Sequence, residues 1–255
     1  MKRALTGVPE NQVRKQYGPA KRRRMYGGYR KFTGRAGYPM QKRMWSNTQG
    51  ILIPQRTFVT LKYAQDIQLN VSGGALPATH SFRANSIYDP NFTSIVGDHQ
   101  PMGHDQYAAF YQKYVVVSST ITATFKGTSN SSLTSDTNQQ YTVGVLTTTP
   151  NQLVTDRYEL LENNRTSFSE VNPQQPFAKV HKEFNAKKFF GLTRILDNEG
   201  YGASMSANPP DRNTCLFELF GYNPVESTEP ITPLYVNVVI KYNCILRDRV
   251  NLGLS

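Results

Sequence analysis

The chain has 255 residues, two cysteines and a net charge of +11, and this charge is concentrated at one end. Residues 1–45 hold thirteen Lys or Arg against one acid, a net charge of +12, whereas residues 46–255 hold 16 basic against 17 acidic residues, a net charge of −1. This asymmetry indicates a polyanionic partner for the first segment. No run of about 18 apolar residues occurs and none follows Lys2 and Arg3, so we expect neither membrane insertion nor a secretory signal peptide.

Residues 1–45 are predicted to be a disordered arm that binds nucleic acid. Glycines and isolated aromatic residues separate the basic ones, and neither a 3.6 nor a 2.0 period fits the segment, so no packed core is expected. Cationic side chains displace counterions from phosphates, and aromatic rings stack on unpaired bases at about 1–3 kcal/mol per base. The pattern favours sequence-tolerant binding of a single strand over groove reading. The predicted nucleic-acid-binding residues are Arg14, Lys15, Lys21, Arg22, Arg23, Arg24, Tyr26, Tyr29, Arg30, Lys31, Arg35, Lys42 and Arg43.

Within this arm, the run Lys21-Arg22-Arg23-Arg24 has the density of a nuclear localisation signal. Two other interpretations of the arm stay open. A solvated charged tail without a partner is disfavoured by a charge of +12 over 45 residues. A membrane-surface arm is disfavoured because no amphipathic period gathers the aromatic residues on one face.

Residues 46–255 are predicted to form one all-β domain with eight antiparallel strands, a sandwich or a barrel. Apolar and polar residues alternate in two long segments, as in half-buried strands. Residues 216–220 are apolar on both faces, which predicts a central position in a sheet. Long polar loops at 126–139 and 197–213 are expected at the exposed surface. The strand candidates are 59–71, 79–88, 113–125, 140–149, 163–171, 177–190, 213–222 and 234–246.

Two short helices are expected in the connections between strands. In 104–114, Tyr107, Phe110, Tyr111 and Tyr114 are spaced i, i+3, i+4 and i+7, which gives one apolar stripe. In 156–162, Asp156 is a candidate N-cap, and a glutamate follows three residues later.

No catalytic constellation is found. The phosphate-binding loop, the dinucleotide fingerprint and the Gly-x-Ser-x-Gly elbow are all missing from the sequence. His99 and His104, flanked by Asp98 and Asp105, are a weak metal-site candidate because their spacing is that of a loop and not of a helical zinc pair. We therefore predict no enzyme activity, metal or cofactor. Cys215 and Cys244 lie in apolar strand patterns, which favours buried free thiols over a disulfide.

One segment carries a recognisable motif. Residues 83–90 read Arg-Ala-Asn-Ser-Ile-Tyr-Asp-Pro, residues 97–107 read Gly-Asp-His-Gln-Pro-Met-Gly-His-Asp-Gln-Tyr, and residues 114–117 read Tyr-Val-Val-Val. This segment resembles the capsid proteins of circular, Rep-encoding single-stranded DNA viruses, the circovirus-like group. The resemblance implies a single eight-stranded jelly roll and structural roles for Pro101, Gly103 and Asp105, with Gly103 permitting a turn and Asp105 capping the following helix.

The resemblance also implies a function. It predicts a viral capsid protein that assembles with copies of itself into an icosahedral T=1 shell of about sixty subunits, in the virion and the host nucleus. Its further partners would be circular single-stranded DNA, host nuclear import receptors and a host cell-surface receptor. An alternative is a cellular nucleic-acid-binding β-domain protein, ribosomal or chromatin-like, but such proteins usually carry positive charge on the folded body too. A third interpretation is an enzyme or lectin with an incidental tail. It is disfavoured because the sequence shows no site for such an activity.

Overall fold

The computed structural model describes residues 53–71, 76–93, 99–127, 140–195, 199–225 and 233–251. The chain divides into two units, Met1–Gln49 and Gly50–Ser255, and the second contains all of the described residues. The predicted nucleic-acid-binding residues and the predicted localisation signal lie outside the described residues, as does most of the 126–139 loop.

Nine strands form in the described part of the chain, in place of the eight predicted. The additional one is a two-residue strand within the predicted 197–213 loop. The strands are β1 (Arg56–Leu69), β2 (Ala78–Arg83), β3 (Tyr111–Lys126), β4 (Tyr141–Thr148), β5 (Thr166–Val171), β6 (Phe177–Asn185), β7 (Ala203–Ser204), β8 (Leu216–Tyr222) and β9 (Leu234–Arg249).

The strands pair in two antiparallel sheets. The first sheet has the order β1-β9-β3-β6, with the short β7 added to β3, and the second sheet has the order β2-β8-β4-β5. With β7 set aside, each sheet has four strands, and the chain crosses repeatedly from one sheet to the other. This is the strand order of a jelly roll, so the predicted fold is confirmed.

The two sheets differ in what covers their outer faces. Along β1, exposed and less exposed residues alternate, because one face packs on the core between the sheets and the other meets solvent. Every residue of β4 and β8 is buried instead. A second apolar cluster, formed by Leu146, Val154, Leu160, Phe220 and Tyr222, covers the outer face of the second sheet. The predicted central position of 216–220 is confirmed, since β8 lies between β2 and β4.

Helix α1 (His104–Ala108) is shorter than the predicted helix over 104–114. Tyr111 begins β3 instead, and Tyr111 and Tyr114 are buried in that strand, which pairs with β9 along most of its length. Gly103 precedes the helix with φ +91°, which agrees with its predicted role in a turn. The predicted capping role of Asp105 is wrong, because Asp105 lies inside the first turn and the N-cap position is Gly103, which has no side chain to accept a bond.

Helix α2 (Arg157–Glu162) confirms the predicted helix over 156–162. The Asp156 carboxylate accepts hydrogen bonds from the backbone N–H groups of Tyr158, at 2.7 Å, and Glu159, at 3.2 Å. Residues 177–190 were expected to be one strand, but the strand ends at Asn185 and α3 (Ala186–Phe190) follows. Asn185 caps α3 by accepting from the Lys188 N–H at 3.2 Å.

Both cysteines are buried and carry free thiols, as predicted. Burial raises the pKa of the Cys215 thiol and of the Cys244 thiol, so both stay protonated and behave as small apolar side chains. None of the helices in the described ranges is long and apolar enough to cross a bilayer.

Candidate functional site: surfaces for assembly and nucleic-acid binding

The motif segment 83–90 is held in place by a buried polar network. The Asn85 side chain donates to the Asn213 carbonyl at 2.8 Å and accepts from the Cys215 N–H at 3.0 Å. The Ser86 hydroxyl donates to Asn208 Oδ1 at 2.7 Å, and its oxygen lies 2.9 Å from the Tyr114 hydroxyl oxygen. These contacts join the motif to β3 and to the 199–213 segment, so Asn85 and Ser86 serve the architecture of the fold.

The 199–213 segment is not the freely exposed loop that was expected. It contains two 3-10 turns, Glu199–Tyr201 and Asp211–Asn213, as well as β7. Met205 is buried, and the Ala207 carbonyl accepts a hydrogen bond from the Tyr114 hydroxyl at 3.0 Å. Because burial raises the pKa of Tyr114, this hydroxyl keeps its proton and can donate it.

His99 and His104, the histidines of the weak metal-site candidate, make separate contacts. His99 stacks on Tyr63, with ring centroids 4.7 Å apart. His104 is buried, and its Nδ1 lies 3.1 Å from Asp105 Oδ1. Among the described residues, which do not include Asp98, no group of three His, Cys, Asp or Glu side chains could hold a metal ion.

The outer face of the first sheet is largely polar and is not covered by other elements of the described body. Rows of Thr and Asn cross it, and Lys62 of β1 lies directly opposite Lys241 of β9. Like charges directly opposite each other destabilise a sheet unless an anion lies between or above them. At one end of this face, exposed Tyr235 and exposed Phe177 flank Lys126 in neighbouring strands.

Large apolar side chains are exposed at several places on the described body, which makes them candidates for contacts between copies of the chain. Aromatic residues and methionine are enriched at protein interfaces. Sequence reasoning did not single out these residues, because an exposed aromatic in a strand cannot be told from a core one without the sheet order. The most exposed are Phe58, Leu76, Met102, Tyr158, Phe168, Phe177 and Val225.

Comparison with known proteins returned structural matches only. No family model and no curated protein matches the chain. Among solved structures, the chain is similar to Desmodium yellow mottle tymovirus, with 15% identity, a TM-score of 0.35, 82% of this chain and 100% of that chain covered. It is similar to tobacco necrosis virus, with 14% identity, a TM-score of 0.40, 78% of this chain and 85% of that one.

The matched structures also include the BFDV capsid protein in a 60-mer, from a circovirus, the group that residues 83–117 resemble. That match has 8% identity and a TM-score of 0.38, and it covers 78% of this chain and 97% of that one. At these identities and TM-scores the matches carry no argument about function. The fold itself follows from the strand order. The jelly roll is a fold of virus capsid proteins among others.

Proposed function

We propose that this chain is a viral capsid protein that assembles into an icosahedral T=1 shell and packages circular single-stranded DNA through residues 1–45. One observation carries the proposal: a +12 segment is joined to a jelly-roll body whose net charge is −1. Near-neutral bodies can pack side by side without strong mutual repulsion, while the arms supply the charge that a polyanion needs. The motif resemblance over 83–117 supports the same function.

The charge of the arms is of the right order for a small genome. Sixty copies of a +12 arm supply about 700 positive charges, enough to release counterions from about 700 phosphates. A cellular nucleic-acid-binding protein is the weaker candidate, because the body's own charge does not favour nucleic acid.

The localisation signal at 21–24 would bring the chain to the host nucleus by way of import receptors. After assembly, an outward surface of the shell would bind a host cell-surface receptor. Neither role requires an enzyme activity or a cofactor, and none is proposed.

Assembly is tested by expressing the full chain and imaging it by negative-stain electron microscopy. A body of about 200 residues is about 4 nm across. Sixty such footprints cover a sphere that is about 18 nm in diameter at mid-shell, so we expect uniform particles of about 20 nm. Monomers under all salt and DNA conditions would contradict the proposal.

The arm is tested by the salt dependence of single-stranded DNA binding. Deleting residues 1–45 should abolish the steep salt dependence, since each phosphate contact contributes about −0.7 to the slope for a single strand. Replacing Tyr26 and Tyr29 by Leu keeps every charge and should weaken binding by about 1–3 kcal/mol per stacked base without changing the slope. An unchanged slope after the deletion would show that the arm does not hold the DNA.

A further inference from the structure

A cleft of about 300 Å³ is lined by the end of β4, by the turn that precedes β5, by β6 and by α3. β4 belongs to the second sheet and β6 to the first, so both sheets contribute to the lining. Its volume is at the lower end of the range for small-ligand sites. Its lining includes three cations, Arg165, Lys182 and Lys188, and one acid, Glu183.

Lys182 occupies a position that an apolar residue would normally fill. Along β6, Ala178, Val180 and Phe184 point into the core, and the alternation assigns Lys182 to the same side. Its Nζ donates to Ser167 Oγ at 3.3 Å. Because partial burial removes water from the ammonium group, it lowers the pKa of Lys182. Placing a cation there costs stability unless an anion comes to it.

The guanidinium of Arg165 lies over an aromatic ring. Its guanidinium carbon lies 4.9 Å from the centroid of the Phe189 ring. Phe189 in turn makes edge-to-face contacts with Phe184, at 5.6 Å between centroids, and Phe190, at 5.1 Å. The ring is therefore a fixed support. A guanidinium in cation–π contact with a ring can still donate its N–H groups, and two of them can bind two oxygens of one oxyanion.

The charges of the cleft are not balanced from within. In the described part of the chain, no carboxylate forms an ion pair with Arg165, Lys182 or Lys188. The one acid in the lining, Glu183, is exposed and lies 3.7 Å from His181 Nε2. Three unpaired cations around one concave site contrast with the net charge of −1 of residues 46–255.

We propose that this cleft binds one phosphate of a single-stranded nucleic acid, with Arg165 and Lys182 on the phosphate oxygens and Lys188 at the rim. The free face of the Arg165 guanidinium offers a plane on which the adjoining base can stack, which favours a nucleotide over a sulfate ester. The inference rests on the proposed function, since it gives the jelly-roll body its own contact with the packaged strand, separate from the arm.

The test uses the full chain and a readout that separates the cleft from the arm. Lysine acetylation by a limiting reagent is followed by mass spectrometry, with and without a ten-residue oligothymidylate. We expect acetylation of Lys182 to fall by at least about fivefold at saturation, because protection follows the bound fraction. Lys179 is the matched control, since it lies on the same strand, on the solvent-facing side, and should be unaffected.

The variant Arg165→Gln should restore the acetylation of Lys182 in the presence of the oligonucleotide. Arg165 is exposed, so this change should leave the fold intact. Protection of Lys182 that persists in this variant would overturn the proposal, and so would a lack of protection in the unchanged chain. A heparin fragment and inorganic phosphate are tested as two further ligands in the same assay. Protection by heparin but not by the oligonucleotide would assign the cleft to a sulfated glycan and would also overturn it.

The two proposals fail in different ways. Normal particles by microscopy together with unprotected Lys182 would refute the cleft and leave the capsid function standing. Failure of the chain to form particles under any condition would refute the capsid function, whatever the acetylation of Lys182 shows.

Discussion

Glu218 is expected to make the stability of the jelly-roll domain depend on pH. It lies in β8, between the second sheet and the apolar cluster that covers it, and is only 1% exposed. Its Oε2 accepts a single long hydrogen bond, 3.4 Å, from the Val154 N–H. Burial raises the pKa of this carboxyl from 4.5 to about 7, and the bond from Val154 lowers it by less.

The sign of the effect follows from proton binding. Between pH 4.5 and about 7, the folded chain keeps a proton on Glu218 that the unfolded chain has lost. The free energy of unfolding therefore falls as pH rises through this window, and the loss is complete above about pH 7. A pKa change from 4.5 to about 7 corresponds to at most about 3 kcal/mol. Since water entry and local relaxation reduce such penalties, we expect about 2 kcal/mol.

The variant Glu218→Gln keeps the shape of the side chain and removes the ionisation. It should be about 2 kcal/mol more stable than the unchanged chain at pH 8 and nearly equal to it at pH 4.5, because only the charged form is penalised. Urea unfolding followed by far-ultraviolet circular dichroism at fixed protein concentration measures both values. Glu170→Gln, at an exposed position of β5 in the same sheet, is the control and should leave the pH dependence unchanged. An equally steep pH dependence in Glu218→Gln would refute the reasoning.

Three further substitutions test the packing described above, each by the free energy of unfolding at pH 6. Asp156→Ala removes the cap of α2 and should cost about 1 kcal/mol, whereas Asp156→Asn, which can still cap, should cost much less. Gly144→Ala puts a Cβ in steric overlap with Phe220 Cζ and 2.8 Å from the Ser167 carbonyl oxygen, and should cost about 1–3 kcal/mol through overpacking, so a neutral result would contradict the close contact. Tyr114→Phe removes the hydroxyl that donates to the Ala207 carbonyl and should cost about 0.5–1.5 kcal/mol, because Ala207 is exposed and water can replace the lost donor, so an unchanged stability would exclude that bond.

Much of the fold could be predicted because its strands carry local signals. The alternation in 59–71 and 234–246 identifies β1 and β9, and the doubly apolar 216–220 identifies a central strand. The helix predicted over 104–114 was too long for a physical reason. Its aromatic spacing fits a helix, but Tyr111 and Tyr114 gain more by joining the long ladder of β3 with β9.

Other features were missed although the sequence holds part of the signal. Asn185 and Gly191 bracket α3 as an N-cap and a C-cap, and Gly191 has φ +66°. That pair could have divided the predicted strand over 177–190. β7 has only two residues, too few for any period to show.

The cleft could not have been predicted from sequence. Arg165, Lys182 and Phe189 belong to the turn before β5, to β6 and to α3, and only the packing of one sheet on the other brings them together. Each residue taken alone is a common surface or strand residue. The opposite holds for the arm. Its charge pattern is evident in the sequence, whereas residues 1–45 lie outside the ranges that the structure describes.

The unequal covering of the two sheets predicts which substitutions the chain tolerates. On β1, and on β9 from Leu234 to Cys244, buried side chains alternate with more exposed ones, so a deep mutational scan should show tolerance with a period of two there. On β4 and β8, both faces are buried, so the same scan should show intolerance at nearly every position. Most of the substitutions that accumulate as the sequence diverges would then lie in the first sheet. Substitutions in the central strands of the second sheet would more often destabilise the fold.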